Sequence, residues 1–222
     1  MLIQGQVGAP QAQSIPAGTT PPIRQGQLGD VIVSEVHGRY YETNYRGALF
    51  STFYNALTVA STHASPIASG TGTPIIGIYN PAGSGKNISL LRMTQAFTSG
   101  TATGPNLWNI IPNPQNISAT PTTSNTNVLG ATLSTVSNNA AGSVARIFNN
   151  QSLTGQTTTG VAFRTAGGPT SAATVAGQIQ TFTEDFQGDF IVVPGTMIAL
   201  CTYANGTSLV MNVYVTWEEL PI

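Results

Sequence analysis

The segment Leu209–Trp217 constrains the fold more than any other part of the chain. Leu209, Met211, Val213, Val215 and Trp217 share one parity, and Val210, Asn212, Tyr214 and Thr216 share the other. A period of two, rich in β-branched and aromatic residues, predicts a strand with one face turned to a core. Upstream lie two apolar runs, Phe190–Val193 and Met197–Cys201 with Tyr203, separated by Pro194-Gly195. Asn205-Gly206 then stands between the second run and the alternating segment, and this dipeptide takes the positive φ angles of a tight turn. The pattern predicts a hairpin of residues 196–204 against 208–217, central in an antiparallel sheet.

The chain has 222 residues, so one large β domain can bury its own core without a disulfide or metal staple. Charged residues make up only 7% of it, against roughly 25% in an ordinary soluble protein. Ser, Thr, Asn, Gln and Gly cover the surface instead. Neutral polar groups cost less to desolvate than charges, so such a surface suits extensive contact with neighbouring subunits. A net charge of −1 gives no electrostatic footprint for nucleic acid or for an anionic membrane. No stretch is apolar for long enough to be a membrane-spanning helix. The first residues lack the basic start and apolar core of a secretory signal. Cys201 lies in a predicted core strand and reads as a buried thiol rather than a nucleophile.

Residues 1–29 read as an extended arm. Gln, Gly, Pro and Ala dominate it, and Pro10, Pro16, Pro21 and Pro22 forbid a regular helix or a central strand. Residues 30–222 read as a single β-sandwich domain. Its first part is charged and aromatic. Tyr41, Tyr45, Ala48, Leu49 and Thr52 recur at helical spacing, and Glu42 and Arg46 are placed as a helix ion pair, so a short helical segment is expected near 39–54. Arg39, Tyr40, Tyr41, Tyr45, Arg46, Phe50 and Phe53 are the expected interface residues, because aromatics and arginine anchor protein contacts. Strands are then expected at 74–79, 88–97 and 106–111. From Thr94 to Thr183 the only charges are Arg146 and Arg164. A structureless loop of that length is unusual, so short strands are expected near 129–136, 143–149, 159–165 and 174–183. Glu184, Asp185 and Asp189 are expected in an exposed turn.

Candidate chemistry is thin. In Asn80-Pro81-Ala82-Gly83-Ser84-Gly85-Lys86-Asn87 the first glycine of a phosphate-binding loop is replaced by Asn80, and the magnesium-holding hydroxyl by Asn87. The context is strand–turn–strand, so a glycine-rich turn accounts for it. His37 and His63 are the only histidines, without metal-ligand spacing. No Gly-x-Ser-x-Gly elbow is present. Glu184 with Asp185, and Glu218 with Glu219, are adjacent carboxylates. Neighbours on a strand point to opposite faces, so neither pair makes an acid–base couple. They read as solvated turn and terminal charges. No enzyme activity, cofactor or metal is expected.

Three stretches resemble a known group: Tyr40–Asn44, Tyr79–Asn87, and Val215-Thr216-Trp217-Glu218-Glu219-Leu220-Pro221. Here the chain is similar to small virion proteins of tailed bacteriophages, of the head-decoration (cement) type, over residues 30–97 and 186–222. The resemblance implies a jelly-roll core and no catalytic residues. It implies a homotrimer seated on the major capsid protein, on the capsid exterior of a virion made in the host cytoplasm.

The expectation is therefore an all-β, antiparallel sandwich of about eight to ten strands, with a non-catalytic structural role. Two other virion roles fit the same residues. One is a receptor- or glycan-binding fibre or tail module, with Trp108 and Tyr203 as candidate platform aromatics. The other is a major or minor jelly-roll capsid subunit.

Overall fold

A computed structural model describes residues 5–7, 23–25, 39–40, 43–44, 47–59, 70–101, 104–114, 133–134, 143–149, 153–167, 180–202 and 207–222. Two compact units divide the chain, Met1–Tyr41 and Glu42–Ile222. In the first, β1 (Gly5–Val7) pairs in parallel with β2 (Ile23–Gln25). Parallel pairing needs a dozen or more residues between the strands, and the two are that far apart in sequence. Both strands avoid the four prolines.

The second unit is an antiparallel β-sandwich. Its strands are β3 (Leu49–Val59), β4 (Gly70–Gly72), β5 (Ile76–Asn80), β6 (Lys86–Thr101), β7 (Asn106–Pro112), β8 (Leu133–Ser134), β9 (Arg146–Asn149), β10 (Leu153–Gln156), β11 (Val161–Thr165), β12 (Gln180–Val192), β13 (Thr196–Thr202) and β14 (Thr207–Pro221). One sheet runs β12-β6-β14-β3-β8 and the other β11-β7-β13-β5-β9. The ladders nest. β3 pairs β14, β5 pairs β13, β6 pairs β12 and β7 pairs β11. β14 then joins β6, and β13 joins β7. The eight long strands thus behave as one long hairpin rolled upon itself, which is the jelly roll.

Why these residues take these places follows from burial. β14 turns Met211, Val213, Val215 and Trp217 inward, as the alternation predicts, and Phe50 stacks on Trp217 at 6.1 Å between centroids. β13 is buried on both faces. Ile198 and Leu200 join the main core, while Met197, Ala199 and Cys201 join a second cluster with Ile111, Phe148 and Leu153 of β10. A strand covered on both sides reads as an unbroken apolar run, and Met197–Cys201 is one. Burial pushes the Cys201 thiol pKa well above its ordinary value, which leaves it unreactive.

Four expectations are corrected. First, β13 and β14 do not form a hairpin. They lie in different sheets, each between two strands distant in sequence, and the chain between them, residues 203–206, lies outside the described residues. Second, the helical segment expected near 39–54 does not reach Leu49. Thr43 and Asn44 have helical backbone, and the amides of Gly47 and Ala48 bond back to the carbonyls of Asn44 and Thr43 at 2.9 and 3.0 Å. From Leu49 the chain is strand, because Phe50, Thr52 and Tyr54 bury alternate positions. Third, Glu184, Asp185 and Asp189 are not in a turn between strands. β12 runs through them, and residues 186–189 form a bulge opposite a break in the β6 register, with positive φ at Gln187 and Gly188. Fourth, Glu219 is not a solvated terminal charge; it is 2% exposed.

The other expected strands shift by a few residues. The segment expected at 74–79 begins at Ile76, and that at 88–97 extends over Lys86–Thr101. The one expected at 159–165 is β11, Val161–Thr165, and β10 at Leu153–Gln156 is not among the expected strands. Of 129–136 only Leu133 and Ser134 lie among the described residues.

Candidate interaction surfaces

Two surfaces stand out, one on a broad sheet face and one at a flank. The face belongs to β12, β6, β14 and β3. Cross-strand register sets Thr183, Thr94, Tyr214 and Phe53 in one row. Phe53 is 56% exposed and Tyr214 37%. The hydroxyls of Thr94 and Thr183 meet at 3.2 Å. The row beside it runs Asp185, Arg92, Thr216 and Ser51. Arg92 and Asp185 pair at 3.7 Å and are well exposed, so the contact is screened and worth at most about 1 kcal/mol. On the other side lie Thr181, Ala96 and Asn212. Across these three rows Arg92 and Asp185 are the only charges.

The flank is where edge strands β11 and β12 meet. Arg164 of β11 reaches across to β12, with Nε 2.7 Å from Glu184 Oε1 and Nη1 2.7 Å from Asp189 Oδ2. Its guanidinium lies over the rings of Phe186 at 5.5 Å and Phe190 at 6.0 Å. Trp108 donates its indole N–H to Glu184 Oε2 at 3.2 Å. Partial burial raises the Glu184 pKa, opposed by Trp108 and Arg164. The hydrogen bond to Asp189 is the main influence holding Arg164 further toward its charged form. This clasp fixes β11, which carries an apolar patch outward. Phe163 stacks on Phe190 at 4.6 Å yet stays 43% exposed, and Val161, opposite Ile110 in the ladder, is 59% exposed.

A buried polar centre fastens the opposite end of β14. Glu219 accepts from Lys86 Nζ at 3.1 Å, Ser143 Oγ at 2.7 Å, the Val144 and Ala145 amides at 3.0 and 3.3 Å, and Trp217 Nε1 at 3.4 Å. It thereby ties residues 143–145, which lead into β9, to the final strand. Asn80, at the start of the glycine-rich turn, donates to the carbonyls of Lys86 and Val192, both at 2.8 Å. Gly83 and Gly85 take positive φ there. The turn links one sheet to the other.

The expected interface residues scatter. Phe50 is 1% exposed and belongs to the core, so it offers nothing to a partner. Phe53 is exposed on the sheet face. Arg39 is exposed, with its guanidinium 5.4 Å from the centre of the Tyr40 ring. Tyr41, Tyr45 and Arg46 lie outside the described residues, as do His37, His63 and Tyr203. Trp108 is fully buried and provides no surface platform. Among the described residues no three His, Cys, Asp or Glu side chains converge as a metal site. Sequence reading missed Tyr214, Val161, Phe163 and Ile110. Tyr214 carried a signal, since it is an aromatic on the polar parity of β14.

No family model matches the chain, and no curated protein does. Among solved structures the chain is similar to one described as "Unassembled KI Polyomavirus VP1 Pentamer", at 13% identity, covering 86% of this chain and 99% of that one, with a TM-score of 0.27. A likeness at that score carries no weight here, and the jelly roll stands on the strand order alone.

Proposed function

We propose that the chain is a non-catalytic structural protein of a virion, and specifically a decoration protein that binds and stabilises the capsid of a tailed bacteriophage. The observation that supports this best is the sheet face around Phe53 and Tyr214. It is broad and threonine-rich, and its one described charge pair is internally neutralised. A surface of that kind sheds water cheaply, with charge desolvation confined to the Arg92–Asp185 pair. The chain would sit on the capsid exterior and touch the major capsid protein through the arm and the segment around Arg39, Tyr40, Tyr41, Tyr45 and Arg46. It would self-associate as a homotrimer. Its mechanism is linkage: a protein that binds only the mature lattice stabilises that lattice by mass action.

The test is to mix the purified full chain with shells that lack it. Saturable co-sedimentation, with shells that withstand higher temperature, is the expected result. Failure to bind any shell overturns the reading. A second role, as a jelly-roll shell subunit in its own right, is favoured by the nested strand order, which viral capsid domains share. It predicts that the purified chain closes into shells unaided.

A further inference from the structure

We infer that the β4–β10 ribbon is a lid over the outer face of the sheet β11-β7-β13-β5-β9, and that it lifts while the sandwich beneath it stays folded. Lifting bares an apolar face and the chain's one thiol, that of Cys201.

The buried apolar residues fall into two clusters. The larger lies between the sheets; the smaller holds Ile111, Phe148, Leu153, Met197, Ala199 and Cys201. Successive residues of a strand point to opposite faces. Ile198 and Leu200 of β13 enter the larger cluster, so the smaller one lies on the other face of that sheet. Met197, Ala199 and Cys201 are fully buried there. Among the described residues of the smaller cluster, only Leu153 comes from outside the five-stranded sheet. It is fully buried too, and it is the pin of the lid.

The rest of the lid is weakly built. β10 pairs with β4 in a two-stranded sheet that joins neither main sheet among the described residues. A lone two-stranded ribbon is marginal in water. β4 is Gly70-Thr71-Gly72, and glycine weakens a strand. The register also breaks between Thr154 and Gln156. Releasing Leu153 takes nothing from the larger cluster, which it does not enter. A local opening of this kind lies below global unfolding in free energy. With the lid down Cys201 is sealed; with it lifted the thiol meets solvent and can react as its thiolate.

Labelling of Cys201 in the native full chain by an aromatic disulfide reagent tests this, with amide hydrogen exchange at Val213 and Val215 reporting global opening. Cys201 is expected to label about tenfold or more faster than global opening allows. Urea below the unfolding transition should barely change the rate, because a small opening exposes little surface. Leu153→Ala should speed labelling about thirtyfold or more, the low end for emptying a buried leucine site. Val213→Ala, in the larger cluster, should lower global stability and leave the labelling rate as it was. Labelling that tracks the Val213 and Val215 amides, rises with urea as they do and quickens in Val213→Ala would overturn the lid. So would local labelling indifferent to Leu153→Ala, which would put the opening elsewhere. A Leu153→Ala chain found unfolded by circular dichroism would also overturn it, by making the ribbon part of the main core.

Discussion

Glu219 shows how much one side chain can hold. It gathers five donors, two of them amides of a segment 74 and 75 residues away in sequence. Glu219→Ala would strand the Val144, Ala145 and Trp217 N–H groups in the interior. Each stranded donor costs about 1–3 kcal/mol, so a loss of about 3–5 kcal/mol is expected, in keeping with removing one partner of a buried pair. Chemical denaturation measures it, and a loss under about 1 kcal/mol would show the hub to be idle. Glu184 behaves differently. Its folded pKa is raised, so between its ordinary value near about 4.3 and its folded value the native state holds the extra proton. Stability from this group is thus fully present below the ordinary pKa and falls as pH rises through the folded one. Tm measured across pH 4–7 should slope less steeply downward in Glu184→Gln than in the native chain. An unchanged slope would assign it to another group. Gly77 is a third such position, because a Cβ there would meet the Phe148 ring. Gly77→Ala overpacks the second cluster and should cost about 1–3 kcal/mol, read from the same denaturation curves.

At the scale of elements, the sequence showed strands well and their partners poorly. Alternation from Leu209 to Trp217 predicted the inward face of β14 correctly. Extended by two residues, the same parity would have put Glu219 inside and Glu218 outside; only its nearness to the chain end made it read as solvated. The unbroken run in β13 signalled a strand buried on both faces. Its partners were illegible, because β13 pairs with β5 and β7, more than a hundred and about ninety residues upstream. Asn205-Gly206 suggested a hairpin because turn chemistry is local, whereas the nested ladders that separate β13 from β14 are not. Leading into β3, three- and four-residue spacings from Tyr41 to Leu49 suggested a helix, and from Leu49 onward the alternate burial of Phe50, Thr52 and Tyr54 prevailed. The apolar flank was hidden because Val161 and Phe163 resemble any core strand until an edge position exposes them. The proposed N-terminal arm belongs to this scale as well. Deleting residues 1–29 is expected to weaken shell binding while Tm of the sandwich stays within a few degrees. Unchanged occupancy on shells would remove the arm from the contact.

For the whole molecule, the sandwich spends its buried polar groups on fastening loops and flanks. Asn80 holds the turn between sheets, Glu219 holds the segment before β9, and Arg164 holds the edge. Glu219 and Arg164 are satisfied by other side chains or by backbone, while Asn80 donates its amide N–H groups to two carbonyls and keeps an unpartnered Oδ1, so all three read as structural fastenings. Among the described residues, the face around Tyr214 is poor in charge and rich in threonine, and apolar side chains such as Phe53, Val161 and Ile191 are exposed. On the function proposed above, a molecule built in this way acts by occupying a place among neighbours. Its copy number is then set by a lattice, and measuring that number is the most direct test of its role. Quantitative mass determination of purified particles, with and without the chain, should give a fixed whole-number ratio of this chain to the shell subunit, reproduced from one preparation to the next. A trace or variable ratio, on particles no less stable for lacking the chain, would contradict the account.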